Sequence, residues 1–349
     1  METENEKKNF TIKGRKSHGK KITVLIITLV TIICFTMLVP NLVMAQKKPG
    51  TGMYFRLVTH GEGPDPFWST VQKGMMDAAN ELGCKADLDL CGSNFNVQLK
   101  RFQEAVAMKP DGIALVINND TMWDKPVADA IANGVNVIGI NNDDTMGSAG
   151  NARLCYIGQN ERRAGYMIGM AVFSAAKAKG WNLSSMEVAA AVEVEGSNYG
   201  VVRCLGIKDA MEEFGIKGDV DIVESGLMRI LAEQKETEYI TAHSNLKCMF
   251  GLGGVTTERL TAAMKNAGKK PGDILCGGFD TLPGTLAGLK EGYMVASIDQ
   301  QQYLQGYFSV YVLYLMKKYG FAPQIDTGGF LITRDNLSLI EKYSPQNIR

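Results

Sequence analysis

Histidine is scarce in this chain: among 349 residues there are only His18, His60 and His243. Nothing resembles an H-E-x-x-H zinc helix, a phosphate-cradling P-loop or a G-x-S-x-G nucleophile elbow. Net charge is lacking too, with 37 basic residues against 37 acidic ones, which argues against a nucleic acid or an acidic polymer as partner. Aromatics make up only 8%. There is no C-x-x-C, and no two cysteines stand at metal-ligand spacing, so neither a redox motif nor a metal centre is expected. The nearest approach to a cofactor motif is Gly251-Leu252-Gly253-Gly254, but Thr256 holds the third glycine position of a dinucleotide fingerprint and Asp280 lies too far on. No cofactor is expected, and no catalytic group stands out.

What is present begins with an N-terminal segment that is not part of the fold. Residues 1–21 are polar and lysine-rich, the run 22–45 is uncharged and apolar, and Val43-Met44-Ala45 puts small residues before Gln46. Residues 1–45 are expected to be a secretory signal peptide, with an uncleaved anchor as the alternative. Either places the body outside the cytoplasmic membrane, and Cys34 lacks a lipoprotein context. Removal leaves Cys84, Cys91, Cys155, Cys204, Cys248 and Cys276. Most lie in apolar runs where a buried free thiol is expected, although export permits disulfides.

The body is too long for one ordinary core, so two domains are expected. Short apolar runs alternate with segments of helical period: strands at 54–59, 86–90, 113–117 and 135–140, then at 153–158, 186–192, 219–224, 247–252, 274–279 and 294–298. That alternation predicts doubly wound parallel sheets in an α/β fold. The stretches 111–143 and 247–280 share one plan, which divides the body into two similar lobes. An apolar helix over 305–319 is shorter than a membrane span, 328–333 is a last strand, and the residues after Asp335 are expected to be a surface tail.

Polar groups collect where these strands end. Asp65 sits at an N-cap position, Pro66 at the first helical position, and Phe67 and Trp68 follow. Asn141 and Asn142 end the strand at 135–140, Ser197 follows the strand at 186–192 with Arg203 on the next helix, Asp280 ends the strand at 274–279, and Gln300 follows 294–298. Strand ends are where open α/β sheets bind ligands. Any one such Asn or Asp could be a turn residue. Together they supply what a polyhydroxylated ligand needs: carboxylates to accept, amides and Arg to donate, and flat rings for the apolar face of a sugar.

The ordered set D-P-F-W, G-V-N-V-I-G-I-N-N, R-C-L-G-I, G-G-F-D and S-I-D-Q-Q-Q-Y-L-Q-G-Y resembles the ribose-type periplasmic sugar-binding proteins of ABC importers, type 1 periplasmic binding proteins, over nearly all of 53–335. The resemblance implies two Rossmann-like lobes joined by three crossovers and closing on one sugar: 46–158 with 300–327, and 159–299 with 328–349. It implies stacking by Phe67 and Trp68, and hydroxyl contacts from Asp65, Asn141, Asn142, Arg203, Asp280 and Gln300. Three departures stand out. Gly253-Gly254 replaces the family's Asn-Asp, Asn141-Asn142 replaces an Asp-Arg pair, and no aromatic near 227–232 supplies a second stacking wall. Fewer charges suggest a ligand other than plain ribose.

The expected function is therefore a non-enzymatic, exported solute-binding protein. It would carry a small sugar or polyol to an ABC permease and its ATPase, as a monomer, with no nucleic acid and no membrane contact beyond the signal segment and the permease. The alternatives are a ligand sensor that signals to a membrane receptor and, further off, a Rossmann-type enzyme. A transcription factor is disfavoured by the export signal and by the lack of a helix-turn-helix before residue 53.

Overall fold

The computed structural model describes residues 47–349 apart from 64, 93 and 195, together with 26, 28 and 29. The cleavage site expected before Gln46, Cys34 and His18 lie outside the described residues, as does the expected signal peptide apart from those three. Among the described residues no helix is long and apolar enough to cross a membrane.

The first unit of the chain shows how the elements arise. Strand β1 (Tyr54–Thr59) runs into a loop, and Asp65 then accepts from the Phe67 N–H at 2.9 Å. That cap, with Pro66 at the first position, starts the helix Pro66–Leu82, which Gly83 ends in the left-handed conformation. The pattern repeats through β2 (Lys85–Leu90), β3 (Gly112–Leu115), β4 (Asn136–Asn141) and β5 (Tyr156–Gly158). It starts again with β6 (Glu187–Val192), β7 (Val220–Glu224), β8 (Leu246–Gly251), β9 (Leu275–Phe279) and β10 (Met294–Asp299). Two short strands, β11 (Ile325–Asp326) and β12 (Phe330–Ile332), complete the set.

These strands form two six-stranded sheets, ordered β11-β5-β4-β3-β1-β2 and β12-β10-β9-β8-β6-β7. All neighbours are parallel except β12, which runs antiparallel to β10. The fold is thus α/β with two parallel-sheet lobes. The chain passes between the sheets three times: after β5, after β10, and between β11 and β12. The central strands of each sheet are buried on both faces, which is why they read as apolar runs, whereas the edge strands β2 and β7 carry acidic residues and are partly exposed. In the first lobe Phe55, Leu57, Ala114 and Ile138 face the helices Pro66–Leu82 and Gln302–Tyr319, while Val58, Ile113, Leu115 and Val137 face Phe102 and Trp123.

Each lobe holds one close helix crossing made of glycines. A Cβ on Gly74 would lie 2.0 Å from the Tyr303 carbonyl oxygen, and one on Gly306 1.9 Å from that of Val71. In the second lobe the helices Glu161–Ala178 and Asn198–Glu213 meet the same way. Gly165 would strike the Arg203 oxygen and Gly206 the Arg162 oxygen, both at 2.0 Å. Only glycine fits such backbone contact.

One expectation needs correcting. The residues after Asp335 are not a surface tail: Leu337–Tyr343 is a helix that buries Leu337 and Ile340 against the second sheet. Arg349 then reaches Asp299 at 2.7 Å. The apolar signal was two side chains three apart in a seven-residue helix, too short for a periodicity to stand out.

Candidate functional site

The carboxyl ends of both sheets face a single cavity of about 470 Å³. Asp65, Phe67, Trp68, Asn141, Asn142, Arg203, Asp280 and Gln300, all eight residues expected from the sequence, line it, and its volume suits a small ligand. Asn141 at the end of β4 and Asp280 just beyond β9 both adopt left-handed backbone, at φ 63° and 71°. Asn and Asp tolerate that region best, and such outliers concentrate at ligand sites.

Arg203 organises the second lobe's wall. It is 3% exposed, and its Nε and Nη2 donate to the two oxygens of Glu161 at 2.6 and 3.2 Å. It also donates to the Leu252 carbonyl and, at 3.2 Å, to Gln300 Oε1. The guanidinium lies over Phe279 at 4.1 Å and Tyr199 at 4.9 Å. Burial pushes the Glu161 carboxyl up, and Arg203 opposes that rise. Gln300 and Gln302 donate to Asp280 Oδ1 at 2.8 and 3.0 Å. Burial raises the Asp280 pKa to about 7 against the pull of Arg203.

The path continues into the first lobe. Gln305 donates to the Gln300 carbonyl at 3.2 Å and accepts from Asn141 Nδ2 at 3.3 Å. Side chains of both lobes therefore form one bonded series through the crossover after β10. At the rim, Asn198 of the second lobe donates to Asp120 of the first at 2.7 Å, so the lobes touch across the cleft.

The first lobe's wall is aromatic and amide. Phe67 is half-buried and meets Trp68 edge-on at 5.0 Å. Trp68 is 3% exposed, belongs to the core, and packs on His60 at 5.3 Å. A Cβ on Gly61 would lie 2.3 Å from its indole, so the glycine makes room for the ring. Trp68 thus serves both as core and as cavity wall. Burial holds His60 neutral, with its pKa lowered to about 4. Burial also raises Asp65, whose cap bond to Phe67 opposes the rise.

Several lining residues were not anticipated. Tyr199 supplies an aromatic on the second lobe, from the start of a helix rather than from 227–232. Glu193 follows β6 and accepts from the Val255 and Thr256 N–H groups at 2.5 and 3.3 Å, placing a carboxylate at a helix N-terminus. A Cβ at Gly253 would lie 2.1 Å from Glu193 Oε2, and one at Gly254 2.9 Å from Asp280 Oδ2. The Gly253-Gly254 pair was the sequence signal for this: those glycines leave space that two neighbouring carboxylates fill. Arg229 and Arg349 also reach the cavity.

A protein-family model described as the periplasmic binding protein domain matches residues 56–320. The chain is 27% identical to the xylose/arabinose-binding protein XylF of Sulfolobus acidocaldarius, over 78% of this chain and 69% of that protein. It is 25% identical to the D-allose-binding periplasmic protein of Escherichia coli, over 68% and 76% of the two chains. Among solved structures it resembles an ABC transporter solute-binding protein of Burkholderia graminis in complex with D-arabinose. There the TM-score is 0.74 and the identity 25%, covering 83% of this chain and 98% of that one. With a matched span of that extent and the fold to go with it, the chain belongs to the periplasmic binding protein domain family.

Proposed function

We propose that this chain is the solute-binding component of an ABC importer, capturing a monosaccharide or similar small polyol between its lobes and handing it to a membrane permease and its ATPase. The observation that carries this reading is the bonded series from Asn141 through Gln305 and Gln300 to Asp280 and Arg203. Groups from both lobes line one cavity, so a ligand that touches both favours the closed arrangement. Phe67 and Trp68 stack on the sugar, while Asp65, Asn141, Asn142, Arg203, Asp280 and Gln300 bond its hydroxyls.

The lobes are 46–158 with 300–327 and 159–299 with 328–349, and they close about the crossovers as a hinge. Residues 1–45 direct export, and the protein acts outside the cytoplasmic membrane as a monomer without catalytic chemistry. The pentose and hexose names of its relatives set the first members of a thermal-shift screen, with inositols and nucleosides after them. Titration calorimetry on the best hit then tests the site. Asp280→Ala and Arg203→Ala should each lose most binding while remaining folded; unchanged affinity in both contradicts the assignment.

A further inference from the structure

The cavity changes character between its depth and its mouth. Asn141, Asn142, Arg203, Asp280 and Gln300, which line its depth, are each at most 5% exposed. Beyond several of the polar strand ends the chain then places an apolar residue. Val194 directly follows Glu193, Leu282 stands two residues after Asp280, and Phe67 stands two residues after Asp65. Leu227 and Val255 line the same space beyond β7 and β8, and Phe95, which opens the helix Phe95–Ala107 after β2, lines it from the first lobe. Leu227 and Phe95 are 40% and 37% exposed, so this apolar set forms the mouth. A Cβ on Gly254 would lie 2.9 Å from Asp280 Oδ2 and 3.2 Å from Leu282 Cδ1; the polar depth and the apolar mouth meet there.

The charges near the mouth are already satisfied. Arg229 and Arg349 reach the cavity, but Glu258 holds the first at 2.8 Å and Asp299 the second at 2.7 Å, and Glu62 is exposed to water. The space is also larger than a free sugar needs. Cavities of ~300–1,000 Å³ take drug-sized ligands. At about 470 Å³ this one has room beyond a pentose or hexose, even though the lobes already touch through Asn198 and Asp120. Water lying against these apolar side chains is poorly bonded, so an apolar group that displaces it binds favourably.

Resting on the sugar-binding reading, we infer that the preferred ligand is a glycoside rather than a free sugar. Its sugar ring bonds the polar depth, and an apolar aglycone fills the mouth between Phe95 of the first lobe and Leu227, Val255 and Leu282 of the second. Phe95 and Leu227 are the specificity-determining residues in this arrangement, one on each side of the aglycone.

The test is titration calorimetry with matched sets: the methyl and phenyl glycosides, in both anomers, of D-xylose, L-arabinose, D-glucose and D-galactose, each beside its free sugar. In at least one set the phenyl glycoside should bind ~10-fold tighter or more than the methyl glycoside, a difference of about 1.4 kcal/mol. Its heat-capacity change on binding should also be the more negative, as burial of apolar surface requires. The phenyl-to-methyl ratio should fall at least ~3-fold in Leu227→Ser and in Phe95→Ser, and toward one when both are replaced. Both positions are exposed, so the changes leave the core alone, and melting temperature checks the fold. If in every set that binds the methyl glycoside or the free sugar binds as tightly as the phenyl glycoside, the inference is overturned and the sugar-binding reading stands. A phenyl preference that persists unchanged in the variants overturns the assignment to these residues. No binding by any member of any set overturns the sugar-binding reading and this inference together.

Discussion

In the first lobe the helices Pro66–Leu82 and Gln302–Tyr319 touch through Gly74 and Gly306; in the second, Glu161–Ala178 and Asn198–Glu213 touch through Gly165 and Gly206. Both sheets are six strands with a strand-end residue held in left-handed backbone, Asn141 in one and Asp280 just after a strand in the other. The scaffolds match, and the walls they present do not. The first lobe offers Phe67, Trp68, Asn118, Asn141 and Asn142, with acids only in its entry loop. The second offers Glu193, Arg203, Arg229 and Asp280. A common scaffold therefore fixes where the strand tips stand, while the tip residues decide what is recognised. One wall is shaped for flat apolar surface, the other for directional charged bonds.

The contrast is broken most severely by removing the charge that holds the second wall. Glu161→Ala strands Arg203 as a buried cation without its partner, and chemical denaturation should show a loss of about 3–5 kcal/mol. The nearest equivalent in the first lobe, Asn141→Gly, keeps the left-handed backbone that glycine adopts freely, removes a neutral bond to Gln305 and should cost only about 1 kcal/mol. Equal losses would mean that the second wall is not electrostatically special. The shared scaffold is tested next by Gly206→Ala and Gly306→Ala. Each adds a methyl within 2.0 Å of a carbonyl oxygen, and each should cost about 1–3 kcal/mol. A crossing that tolerates alanine in one lobe and not in the other would contradict the common plan.

A smaller effect separates the walls by pH. The Asp280 carboxyl has a pKa of about 7 in the fold, above the ~3.9 of an exposed aspartate. The fold therefore holds a proton that the unfolded chain releases first. The resulting stability is fully present below about pH 4 and is lost as pH rises through about 7. Asp280→Asn keeps an oxygen for Gln300 and Gln302 but cannot ionise. Relative to the parent, its melting temperature should rise by about 2–4 °C between pH 5 and pH 8. A parallel pair of melting curves would remove Asp280 from the account. Smallest of all is the effect of reductant. Cys91, Cys155, Cys204, Cys248 and Cys276 are free and buried, and Cys84 is free and partly so. Dithiothreitol should therefore move the melting temperature by less than about 1 °C; a larger drop would reveal a stabilising disulfide.

Much of the scaffold was legible because parallel strands buried on both faces read as apolar runs closed by turn residues, as at Gly112–Leu115 and Leu246–Gly251. The strand-tip residues were legible for the same reason: once the strand ends are known, Asn141, Asp280 and Gln300 fall beside one another. Glu193 was not, because nothing local distinguishes an acid one residue past a strand; only the empty space at Gly253, on a different strand end, gives it a purpose. Tyr199 stands at the start of a helix and also reads as core, and Glu161 stands in the first turn of one helix while serving Arg203 from the next. Those pairings are tertiary, and no local period carries them.

The central claim is that one ligand is held by both walls at once. The direct measurement is calorimetric titration of the best ligand from the screen against the parent, Phe67→Ala in the first lobe and Asp280→Ala in the second. Binding at one site per chain, weakened at least ~10-fold by either substitution, is the predicted result. Full affinity retained when either wall is altered would contradict it.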